Sequence, residues 1–223
     1  MGGFLTWCAL ALSVMSEYPK PVKMSADRLA AVVDNQVLGD SVDPAQKSLL
    51  AHATAEALIY REEPSDPAIV ERLVVFADEH GLDVLASLWS EAHPTSLPGA
   101  LWRLYLVRAA LRHTIENSRV LFQEGVDQLN TIDQVVAGAP DPLDTKGLEK
   151  VLDDVLRGAF SGDLAQALER AAAIARAISA GSLHYSWINE RDAHDLATRS
   201  LNWSIIAREL STSATTAREG KLS

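Results

Sequence analysis

The chain has 223 residues, 48% of them hydrophobic, and carries 30 acidic against 20 basic groups for a net charge of −10. That is enough apolar material for one sizeable core, and the charge is too sparse and too mixed for a disordered chain. Nucleic-acid binding is disfavoured, because neutralising phosphates needs a basic face; residues 1–96 hold 14 acidic and 6 basic groups, and residues 97–140 and 182–223 are balanced.

Cys8 is the single cysteine. An internal disulfide and a cysteine zinc site are therefore excluded, which suits a reducing, cytoplasmic setting. Cys8 sits in the apolar run Phe4–Met15, which is too short to span a bilayer as a helix and lacks the basic lead of a secretory signal. No membrane span is expected. Met15 and Met24 each look like a natural start, so residues 1–23 read as an extension, either flexible or a misplaced beginning.

Helices are expected from Ser25 to Gly39, from Pro44 to about Arg61 and from Pro67 to His80. The last two start on Asp43-Pro44 and Asp66-Pro67: the carboxylate caps an orphan N–H, and proline has no N–H to lose. Leu82, Leu85 and Trp89 mark a short fourth helix, broken at His93–Pro98. The next stretch, Pro98–Phe122, is apolar nearly all round, the mark of a central helix. Ser96 caps it, and it should bend or stop around His113–Asn117. A shorter helix then runs to Gly125, a turn covers Thr131–Ala137, and Leu148, Leu152, Val155 and Leu156 form an amphipathic face ended by Gly158. Asp163–Ala180 has the cleanest stripe, with Gly181 as its stop. A last long helix spans Ser182–Leu210. No alternating strand pattern or hairpin turn signal occurs. The expected fold is all-α: one multi-helix bundle over 24–210, with a central hydrophobic helix, a long C-terminal helix and a disordered tail at 211–223.

Reactive constellations are scarce. Phosphate loops, HExxH, GxSxG and CxxC are all absent. His52 with Glu56, and Glu190 with His194, are Glu–His pairs four apart, whereas a di-metal bundle uses Glu-x-x-His with further carboxylates. No metal site and no cofactor are expected. Arg108 and Arg112 lie one turn apart on the apolar helix; their planar forks match a carboxylate or phosphate, so they are the anion-binding candidates, unless acidic residues of the chain itself pair with them. Leu196, Trp203, Ile206 and Leu210 form a narrow seam on the last helix that suits a partner helix, a second copy or the protein's own core. Trp89, Trp102 and Trp187, set among apolar helical neighbours, are expected in the core.

In its LWRLYLVRAALRH and GAFSGDLAQALERAAA segments the chain resembles uncharacterised all-helical proteins of high-GC bacteria, a resemblance that implies the helical fold and no activity. The expected function is a non-catalytic interaction or regulatory protein acting through protein–protein contacts, with a homodimer as one form of it. The rival is a small-molecule or anion-binding helical protein using Arg108 and Arg112, with or without an enzymatic role. A third reading is a transcription-associated protein.

Overall fold

The computed structural model describes residues 44–59, 88–129, 131–140, 143–161 and 163–223. The extension 1–23, the helix expected from Ser25 and the one expected over 67–80 lie outside them. Among the described residues there are seven helices and no strand: α1 (Pro44–Ile59), α2 (Leu97–His113), α3 (Ile115–Gln128), α4 (Asp133–Ala137), α5 (Thr145–Ser161), α6 (Leu164–Ile188) and α7 (Ala193–Arg218). The all-α class is therefore observed. The chain divides into two compact units, one from residues up to Trp102 together with Ser223, the other spanning Arg103–Leu222, with the boundary inside α2.

In the first unit, α1 starts on Pro44 and buries Leu50, Ala51, Thr54, Ala55 and Leu58. Trp89 is buried with them and donates its indole N–H to Thr54 Oγ1 at 3.0 Å. A buried tryptophan thereby keeps its donor satisfied. Ser96 caps α2 by accepting the Gly99 N–H at 3.3 Å, and the Leu97 N–H reaches the Ser223 carbonyl at 3.0 Å.

The second unit is assembled on α6, which packs against α3, α4, α5 and α7. Its alanines leave room for close neighbours, and Ala167, Leu168, Ala171 to Ala175, Ala177 and Ile178 are all buried. Asp163 caps it, accepting the Gln166 N–H at 2.8 Å. The apolar stretch expected to be the central helix is buried over α2, with Leu104, Leu106, Val107 and Leu111 inside in this unit, but the expectation that it is the hub is corrected: the helix on which the others gather is α6. It ends at His113, and α3 begins at Ile115.

Three glycines read as helix stops lie inside helices instead: Gly125 in α3, Gly158 in α5 and Gly181 in α6. At Gly125 and Gly181 the reason is a helix crossing, where a β-carbon would run into the backbone of the facing helix. As a result α6 continues through Gly181 to Ile188, and the last helix starts at Ala193 rather than Ser182.

The expected disordered tail at 211–223 is also corrected. Helix α7 continues to Arg218, with Ser213, Ala214 and Leu222 buried. The polar Ser/Thr run suits a helix here because its hydroxyls bond back to the preceding turn: Thr212 to Arg208 O, Thr215 to Ser211 O and Thr216 to Thr212 O, at 2.9–3.1 Å.

Candidate functional site

The two arginines singled out by spacing come together on a single carboxylate. Arg108 Nε donates to Asp153 Oδ1 at 2.7 Å, and Arg112 Nη1 donates to both oxygens at 2.8 and 3.0 Å. Asp153 stands on α5. Burial raises its pKa, but the hydrogen bonds and charges of Arg108 and Arg112 outweigh burial and hold the carboxyl below its ordinary 3.8. All three side chains are about one-third exposed, so the cluster is a half-solvated ion triad joining α2 to α5. The same helix carries Arg103, which pairs with Glu209 of α7; there both side chains are nearly buried, at 11% and 12% exposure.

The seam on the last helix also turns inward. Trp203, Ile206 and Leu210 are buried, and the helix that α7 chiefly packs against is α6. As a partner interface these three are therefore corrected: the protein covers them itself. Leu196, one turn before Ser200, is only half-buried.

The exposed apolar surface lies elsewhere. Helices α6 and α7 run antiparallel, as three cross-links show. Arg218 reaches Glu169 at 3.0 Å, Arg176 reaches Ser211 at 3.0 Å, and Ser179 donates to the Ser200 carbonyl at 2.8 Å. Beyond the last of these, α6 extends two more turns before the connection at 189–192. Leu183 and Trp187 continue the line of Ser179 by steps of four. They are 47% and 80% exposed, and the adjacent Ile188 is 62% exposed. Trp187 thus departs from the core position expected for it, while Trp89 and Trp102 occupy theirs. Its apolar neighbours in sequence lie on the last turns of α6, just before the connection at 189–192. The usable signal was the Leu183–Trp187 step of four beside polar Ser186, Asn189 and Glu190.

A second apolar pair, Ile132 and Val135, faces outward from the five-residue α4. The opposite face of α4 is pinned to α6: buried Asp133 accepts from Arg176 Nε at 2.8 Å, and the Ala137 carbonyl accepts from Arg170 at 3.1 Å.

The histidine pairs read from sequence do not assemble. His52 Nδ1 lies 2.8 Å from the Ser48 carbonyl, and Glu190 and His194 are both exposed. Spacing did not single out His184, whose Nε2 lies 3.4 Å from Glu124 of α3. Among the described residues no group of His, Cys, Asp or Glu could hold a metal ion, and no helix is long and apolar enough to cross a membrane. No protein-family model, no curated protein and no solved structure matches the chain.

Proposed function

We propose that the protein is a non-catalytic helical interaction protein of the cytoplasm, which acts by binding another protein at the tip of the α6–α7 hairpin. The observation that carries this reading is Trp187, four-fifths exposed and in line with exposed Leu183 on a helix whose core face is buried from Ala167 to Ser182. A tryptophan offers on the order of 200 Å² of contact surface, and aromatic anchors dominate interface energetics. Scattered surface apolar residues need no explanation, but a contiguous set on one helix end does.

The anion-binding reading of Arg108 and Arg112 has less support, since Asp153 already takes both guanidinium groups. The test is paired affinity capture from native lysate with the wild-type chain, Trp187→Glu and Ile132→Glu. The expected result is a protein retained by wild type and Ile132→Glu and lost from Trp187→Glu. Identical capture by all three would reject the tip as the binding surface.

A further inference from the structure

Resting on that reading, we infer that the tip receives a positively charged amphipathic helix of another protein. The surface presents one short apolar line, Leu183 to Trp187, with Ile188 beside it and half-buried Leu196 one turn from the Ser179–Ser200 contact on the neighbouring helix. A ridge of this size matches the apolar stripe of a docked helix, whose anchors recur every three to four residues.

The charges around it select the sign of the occupant. Glu190, Asp192 and Asp195 are exposed in the connection and first turn of α7, against Arg191 as the exposed cation of that segment. Arg199, further along α7, has its own interaction within the fold. Glu124 of α3 reaches the same end of α6 through His184. The rim is acidic on balance, and the whole chain carries −10. A second copy would bring the same acidic rim against it, so self-association through this face is opposed by like charge. A basic partner is instead drawn in by the local field.

The probe is a short, fluorescently labelled Leu–Lys amphipathic helix, with its Leu–Glu counterpart as control, titrated by anisotropy against the full chain, Trp187→Glu and Val135→Glu. Circular dichroism establishes that each variant folds. The sign of the Trp187→Glu effect is decisive. Adding a negative charge strengthens any non-specific attraction to lysines, whereas a helix seated on Trp187 loses its anchor. The inference expects saturable binding of the Leu–Lys peptide, weakened about tenfold or more by Trp187→Glu, unchanged by Val135→Glu and reduced at high salt. Equal or tighter binding to Trp187→Glu, or equal binding of the Leu–Glu peptide, overturns it. If neither peptide binds, the basic-helix inference fails. In that case a Trp187-dependent dimer in sedimentation velocity, or Trp187-dependent capture from lysate, leaves the interaction reading standing, and the lack of both removes that reading as well.

Discussion

Gly181 of α6 lies directly against the backbone of α3: a β-carbon there would stand 3.0 Å from the Gly125 nitrogen and would run into the Leu121 carbonyl oxygen. Gly125 returns the relationship, since a β-carbon on it would meet the backbone of Ala177. Neither obstacle is a flexible side chain, so the helices themselves would have to separate. Gly181→Ala is expected to destabilise the protein by about 1–3 kcal/mol through overpacking. Gly158→Ala is the control. Its β-carbon would meet only Ala167 Cβ at 4.0 Å, and alanine in a helix interior gains roughly 0.5–1 kcal/mol over glycine. Urea midpoints of the two variants should therefore move in opposite directions.

The same pair shows what could be read ahead of the structure. Proline at the start of α1 and the Ser96 cap are local chemistry, and each sits where sequence puts it. A glycine that ends a helix and a glycine that lets two helices touch look alike in one dimension, so Gly125 and Gly181 were legible only as breaks. The seam at Trp203, Ile206 and Leu210 and the line at Leu183 and Trp187 pose the same difficulty. Both are apolar helical stripes, and only the register of the α6–α7 hairpin decides which is covered. Arg108 and Arg112 were legible as a pair, but their partner, Asp153, lies 45 and 41 residues away in the chain.

Among the described residues of the second unit, Arg103 and Glu209 form the ion pair with the least access to water. Removing one member strips the other, nearly buried charge of this ion pair, at a cost of up to about 3–5 kcal/mol. Arg103→Met and Glu209→Leu are each expected to lower stability by that order, and the double variant to recover most of the loss. A double-mutant cycle in urea measures the coupling directly.

Asp153 links stability to pH. Its folded pKa lies below the ordinary 3.8, so the folded state holds the carboxylate more tightly ionised than the unfolded chain does. The stabilisation is fully present above that ordinary value and is lost as pH falls through the lower folded pKa. With the side chains about one-third exposed the effect is modest, on the order of 1 kcal/mol or less. The stability gap between wild type and Asp153→Asn should be constant from pH 7 to 5 and close as the pH drops below about 4. Arg108→Leu should behave in the same way, with only a small loss at neutral pH, if the triad is structural.

The C-terminal segment is part of the fold in this structure. Deleting residues 211–223 removes buried Ala214 and Leu222 and the Arg218–Glu169 pair, and a clear fall in thermal midpoint is expected. Ser213 within it should behave oppositely. Its hydroxyl is buried without a hydrogen-bond partner among the described residues, so Ser213→Ala, which relieves that desolvation, should be neutral or stabilising by up to about 1 kcal/mol.

Whether recognition occurs at the hairpin tip is tested most directly by placing a benzophenone photo-crosslinking residue at position 187 or at position 203 and irradiating native cells. The account predicts a discrete crosslinked protein adduct from position 187 and none from position 203, whose side chain the fold covers. An adduct from 203 with none from 187 would contradict it.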